Sequence, residues 1–180
     1  MGKQPLFQRF LGSSWQALPA AVRAVHSIEG QLRLEGKARV DRGTSLLSHI
    51  ISAVIGFPKS GSDIPVTVII TQTPKGETWV RDFGGQTFRS HLSLKEGPPL
   101  KVFERFGLLR AELGLREDNK ALLFPVKRAW LLGIALPHWL LPRSDTRETA
   151  QNGLFHFDVA ISLPLAGQIV RYRGWLKPQA

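Results

Sequence analysis

Gly153-Leu-Phe-His-Phe-Asp-Val-Ala-Ile-Ser-Leu-Pro-Leu-Ala-Gly-Gln-Ile-Val-Arg-Tyr-Arg-Gly-Trp-Leu176 decides the fold class. It reads as two strands joined across Pro164 to Gly167. Successive strand residues point to opposite faces. Phe155, Phe157, Val159, Ile161 and Leu163 therefore share one apolar face, and His156, Asp158, Ala160 and Ser162 share the other. The apolar set predicts a core wall against which the rest of the chain packs.

Outward from that hairpin the same pattern repeats. Asn152-Gly153, a strong two-residue turn signal, joins the stretch to a short strand at Thr146 to Ala150. Further upstream, strands are expected over 64–73, 77–83, 86–94, 100–106, 108–116, 121–126 and 130–136. Pro74-Lys75-Gly76, Gly84-Gly85, Gly107 and Glu117-Asp118-Asn119 separate them as turns, and Pro137 to Pro142 reads as a loop or single turn. Gln31 to Asp41 alternates strictly. Leu32, Leu34, Gly36, Ala38 and Val40 face inward, and Arg33, Glu35, Lys37, Arg39 and Asp41 face water. The small Gly36 and Ala38 leave room for either a close-packed helix or a cavity.

Helical spacing occurs in three places. Leu6, Phe7, Phe10 and Leu11 form one short helix stopped by Gly12. Trp15, Leu18, Val22 and Val25 continue a second face, with Ser13 or Ser14 as cap and Pro19 in a first turn. Thr44 or Ser45 caps a helix that runs to Ile55, with Leu46, Leu47, Ile50, Ile51, Val54 and Ile55 on a wide apolar stripe. Its other face holds only Ser48, His49 and Ser52. A helix without charge reads first as buried against the concave side of a sheet. A lid over an apolar pocket, or a helix that meets a membrane, is the alternative, although an interfacial helix ordinarily carries Lys or Arg on its polar face.

Parallel pairing needs long crossovers, and none follows residue 60. The expected class is α+β, mostly β. A curved antiparallel sheet of about ten strands, rolled or half-barrel, should carry short N-terminal helices and one apolar helix on its concave face. One domain spans residues 1–180. A hydrophobic fraction of 43% against 21% charged residues is that of a globular chain. With no cysteine, disulfides and thiolate metal sites are excluded. No run of about 18 apolar residues predicts a spanning helix. The segment Met1 to Phe10 lacks an apolar leader region, and Leu6 stands where a myristoylation signal requires Ser or Thr. A cytoplasmic protein is expected.

Arg81-Asp82-Phe83-Gly84-Gly85, Glu104-Arg105-Phe106-Gly107, Leu132-Gly133-Ile134-Ala135-Leu136-Pro137, Phe155-His156-Phe157-Asp158-Val159 and Val170-Arg171-Tyr172-Arg173-Gly174-Trp175-Leu176 together resemble the bacterial domain-of-unknown-function family 4166. The resemblance runs from Leu6 to Leu176 and implies no established activity. It does imply a domain that stands alone or is joined to a saccharopine-dehydrogenase-like domain, so an oxidoreductase is one partner to consider. A Gly-x-Gly-x-x-Gly phosphate loop is absent, and no cofactor is expected.

The five histidines show no metal-ligand spacing. His156 and Asp158 lie on one strand face, roughly 7 Å apart, and are the candidate base and orienter if the protein is an enzyme. Arg81, Asp82, Glu104 and Arg105 stand at strand ends beside glycines, as rigid turns or as polar groups at a pocket mouth. Arg171 and Arg173 can grip an anion or pair with acids such as Asp158; Tyr172 and Trp175 flank them. These eight are the candidate ligand-binding residues. The net charge of +10 permits an acidic partner. Nucleic acid is disfavoured because most aromatics fall at core parity. An anionic membrane surface fits better, since Trp130, Trp139 and Trp175 lie in acid-poor, basic segments. The first functional expectation is non-catalytic binding of an apolar or lipid-like small molecule in the concave face. The alternatives are the His156/Asp158 enzyme, and a module that docks on an oxidoreductase or a membrane.

Overall fold

The computed structural model describes residues 4–179. Met1–Lys3, on which the leader and myristoylation readings partly rest, and Ala180 lie outside them. The chain begins with α1 (Leu6–Leu11), a 3₁₀ segment (Gly12–Ala17) and α2 (Ala20–Val25). Neither Ser13 nor Ser14 caps a helix; Pro19 takes the N-cap place of α2 without a side-chain bond. Next come β1 (Gln31–Arg42), α3 (Leu46–Ile55), β2 (Gly61–Thr73), β3 (Gly76–Phe83), β4 (Gln86–Lys95) and β5 (Lys101–Phe106). β6 (Leu109–Leu113), β7 (Arg116–Asp118), β8 (Ala121–Leu123), β9 (Val126–Leu131) and β10 (Ile134–Ala135) are short. β11 (Arg143–Gln151), β12 (Leu154–Leu163) and β13 (Gly167–Pro178) complete one sheet.

That sheet has 13 strands in the order β10-β9-β6-β5-β4-β3-β2-β1-β13-β12-β11-β8-β7, and every pairing is antiparallel. Thirteen strands stand where the sequence pattern marks eleven segments, because three expected strands between 108 and 136 become five. Residues 108–116 divide at Gly114-Leu115, and 121–131 divide at Phe124-Pro125. Pro125 has no N–H to give a ladder, while its carbonyl accepts from Gly114 N at 2.8 Å. Residues 130–136 turn at Leu132-Gly133, both with positive φ (54° and 84°). The 109–131 hairpin is thus bent. One half pairs with β5 through β6, and the other reaches β11 through β8. The sheet is not a closed ring, yet this hairpin connects its two margins.

Antiparallel alternation gives the roll two distinct ends. One carries α3, the turns after β3, β5, β9 and β12, and the 136–142 segment that crosses from β10 to β11. We call it the α3 end. At the other end the N-terminal segment forms a plug. Phe7, Trp15, Leu18, Val22, Val25 and Ile28 are all buried with the inner face of the sheet, and α2 packs on β11 and β12. Burying one such side chain contributes roughly 1.5–3 kcal/mol, so the plug is firmly seated.

Two expectations are corrected. Gly36 and Ala38 do not open the cavity. A Cβ on Gly36 would stand 1.9 Å from the Trp175 carbonyl oxygen, so glycine there lets β1 and β13 approach. The apolar stripe of α3 is not its buried side either. Ser48 and Ser52 are fully buried, whereas Leu46, Leu47, Ile50 and Val54 are 77%, 43%, 52% and 80% exposed. Ser45 caps the helix as expected, accepting from Ser48 N. Hydrogen bonds set the helix orientation: Ser52 Oγ donates to the Ile169 carbonyl at 3.3 Å and Ser45 Oγ to the Ala166 carbonyl at 2.7 Å.

Candidate functional site

The roll holds a partly open cavity of about 140 Å³. Its lining runs from Phe7 of the plug to Ile51 and Ile55 of α3, with Phe106, Leu109 and Leu163 near the α3 end. Phe157, Val159 and Ile161, the expected core wall, form part of it. The polar groups in the lining are few: Arg81, Glu104, Ser144, Thr146, Glu148 and Tyr172.

Strand parity explains how Arg81 and Glu104 come inside. Trp79 and Phe83 point inward, and Arg81 lies between them on the same face. Glu104 lies between the inward Val102 and Phe106. Arg81 Nη1 donates to Ser90 Oγ at 2.8 Å, and Nη2 stands 3.6 Å from Glu104 Oε1. The guanidinium also lies 4.9 Å from the Trp79 ring centroid and 5.5 Å from that of Phe88. Both charged side chains are only 14% exposed. Burial pushes the Glu104 carboxyl above its ordinary value, and the Arg81 charge and a Ser90 hydrogen bond oppose that push.

A second polar group sits deeper. Register pairs Glu148 with Phe157, Thr146 with Val159 and Ser144 with Ile161, which puts all three on the inner face. Glu148 Oε2 is 2.6 Å from Nε2 of the fully buried His26. The His26 ring packs 3.9 Å from that of Phe7, and its Nδ1 has no hydrogen-bond partner. Nearby, the Trp79 indole N–H donates to Glu77 Oε2 at 2.9 Å, and burial raises the Glu77 carboxyl. Burial likewise pushes the Tyr172 hydroxyl up to about 12. The cavity wall can thus donate from a guanidinium and a phenol, and accept at two carboxyl groups.

Three of the eight sequence candidates line this cavity: Arg81, Glu104 and Tyr172. Asp82 instead rigidifies its own turn, accepting from Gly85 N at 2.9 Å and from Thr87 Oγ1 at 2.7 Å. Arg105 is exposed and donates to the Gly107 carbonyl. Arg171, Arg173 and Trp175 lie on the outer face. Arg171 makes a two-point contact with Asp158 at 2.9 and 2.6 Å, and the neighbouring guanidinium of Arg173 lies 4.0 Å from Asp41. Arg173 and Trp175 border a shallow outer groove with Lys37 and Arg39. His156 and Asp158 are outside the cavity too. Arg171 engages both oxygens of Asp158, so the carboxylate does not serve as an orienter of His156. The reason is parity: both residues alternate with the inward Phe155, Phe157 and Val159.

Glu148, Thr146, Ser144, Glu77 and His26 were not singled out from sequence. A signal for the first three existed. The Asn152-Gly153 turn pairs Gln151 with Leu154 and so forces Glu148 opposite Phe157. His26 follows α2, and nothing local marks it as buried.

Among the described residues, no helix is long and apolar enough to cross a membrane, and no group of three His, Asp or Glu side chains converges as metal ligands would. No curated protein matches the chain. The model of one family matches residues 18–176, which is nearly the whole chain, and the protein belongs to that family, described as Domain of unknown function (DUF4166).

Proposed function

We propose that this protein is a binding domain whose cavity takes a small, largely apolar, uncharged molecule and orients it by one polar group. The observation that carries the reading is the cavity of about 140 Å³, walled by aromatic and aliphatic side chains with Arg81, Glu104 and Glu148 on its surface. Pockets of this composition hold ligands by apolar burial and select them by a few placed polar groups. The volume is close to that of an engineered apolar cavity that admits benzene. It suits one ring with a short alkyl segment. Arg81 already faces Glu104, and His26 already faces Glu148, so a ligand carboxylate finds no free cation, whereas a hydroxyl finds both donors and acceptors. An alcohol or phenol fits better than a fatty acid. The enzyme reading through His156 and Asp158 gains nothing from the fold, because neither reaches the cavity.

The test is calorimetric titration with 4-propylphenol and with 4-propylbenzoate, alongside native mass spectrometry of gently purified protein. The phenol should bind and the benzoate should not. Affinity should rise with alkyl length until the cavity is full, by about 0.8 kcal/mol per CH₂. Ala111→Phe, which fills the lining from β6, should abolish binding. No titratable phenol and no co-purified small molecule would remove the proposal.

A further inference from the structure

We infer that the α3 end docks on an anionic lipid surface, with α3 lying along the interface and its Leu46, Leu47, Ile50 and Val54 face turned to the acyl chains. The inference goes beyond ligand binding and holds whether or not the cavity is loaded. Ten large apolar side chains are exposed among the described residues. Four are on α3, and the others are Leu108, Leu131, Leu132, Ile134, Trp139 and Leu165. Every one lies on α3, at a turn of the α3 end or the strand residue beside it, or on the segment that crosses it. Scattered exposed hydrophobics are ordinary, but their concentration on one end is the mark of an interaction surface.

Charge selects the occupant. Residues 43–60, 107–108, 132–142 and 164–166, which form this end, contain no Asp or Glu. The exposed cations Lys59, Arg105, Arg110 and Arg143 stand around it. Four acids stand at the margin of this end, Asp41, Asp63, Asp82 and Asp145; Asp41 lies beside Arg39 and Arg173, and Asp82 is held by its own turn. A second copy docked face to face would set one cation-bearing rim against another. An anionic bilayer attracts them, at about 1 kcal/mol for each basic residue near the surface. The missing Lys and Arg on the polar face of α3 cease to be an objection, because that face, Ser48 and Ser52, is turned into the protein. Neighbouring strand ends supply the positive charge instead. Trp139, 64% exposed, suits the headgroup layer.

Flotation with vesicles of phosphatidylcholine alone and of phosphatidylcholine mixed with phosphatidylglycerol tests the inference, each at low and high salt. The protein should float with the anionic vesicles and less so at high salt. Ile50→Asp and Val54→Asp should each lower the vesicle partition coefficient about tenfold or more. Their thermal unfolding should match the parent, since both side chains are exposed. Ala111→Phe, which blocks the cavity, should leave flotation unchanged, so failure of ligand binding and failure of docking are separable. Absence of flotation, or flotation indifferent to the two α3 variants, would overturn the inference. So would a stable dimer in sedimentation equilibrium that Val54→Asp dissolves, because the occupant would then be a second copy.

Discussion

Replacing Arg81 by Met probes whether the polar cluster is truly withdrawn from water. The substitution keeps an unbranched stem against Trp79 and Phe88 but removes the charge that faces Glu104 at 3.6 Å. At an effective dielectric of about 20, unit charges at that distance attract by about 4–5 kcal/mol. Removing one partner of a buried pair ordinarily costs about 3–5 kcal/mol. The Glu104 carboxyl can limit that cost by taking a proton. From its ordinary value of 4.5, protonation at pH 7 costs about 3.4 kcal/mol, at 1.36 kcal/mol per pH unit. R81M should therefore lose about 3 kcal/mol at pH 7. The sign of the pH dependence follows. A carboxyl raised by folding binds more protons folded than unfolded at pH values above 4.5, so stability falls as pH rises through that window. The fall ends at the folded-state value, which the loss of Arg81 moves further up. R81M should show a steeper decline than the parent and converge on it near pH 4.5. Glu104→Gln in the R81M background should remove the extra slope and recover about 1–3 kcal/mol at pH 7. Urea unfolding of the three proteins, followed by tryptophan fluorescence from pH 4.5 to neutrality, supplies these values. An R81M protein within about 1 kcal/mol of the parent at pH 7, with no added slope, would show the pair to be solvated and refute the reasoning.

Two more perturbations test the frame of the cavity. Gly36→Val drives a side chain into the Trp175 carbonyl and should cost about 2 kcal/mol or more in urea unfolding; Lys37→Thr, one residue along on the exposed face, should stay within about 0.5 kcal/mol. Glu148→Leu leaves His26 without the partner of its Nε2, and should cost about 1–3 kcal/mol. His26→Phe in the same chain should restore part of that loss, and strictly additive single and double variants would contradict a coupled buried pair.

The strands were legible because a half-buried antiparallel strand writes its two faces at period two. β1, β3, β4, β5 and β12 lie within one or two residues of where alternation and turn residues set them. The breaks within 108–136 were harder to read. Gly114 marks an interruption within Leu108 to Arg116 but not that the strand changes partner there; that depends on β5 and β11 standing where they do. The cavity was half legible for a related reason. Arg81 and Glu104 drew notice as charges beside glycines, though the more telling fact is their inward parity. Glu148 was hidden behind a weak strand signal, while its register was already specified by the Asn152-Gly153 turn. Reading parity and turn length together would have found it.

Helix α3 failed in a more instructive way. An amphipathic pattern reveals two faces but not which faces the protein; the usual assignment assumes that the outside is water. Here the helix is attached by serine hydroxyls to backbone carbonyls of the β12–β13 turn and of β13, bonds that require the small polar face to lie inward. Rotating it to bury Leu46, Ile50 and Val54 would forfeit those bonds and turn Ser48 and Ser52 outward. In water alone such a sequence gains nothing from keeping four apolar side chains exposed, because placing polar residues there would leave the serine anchors intact. The inversion is what docking of that face on an apolar surface would require. The same helix supplies Ile51 and Ile55 to the cavity. The outward face of α3 and the cavity thus share one helix but use different side chains, Leu46, Leu47, Ile50 and Val54 on one side and Ile51 and Ile55 on the other.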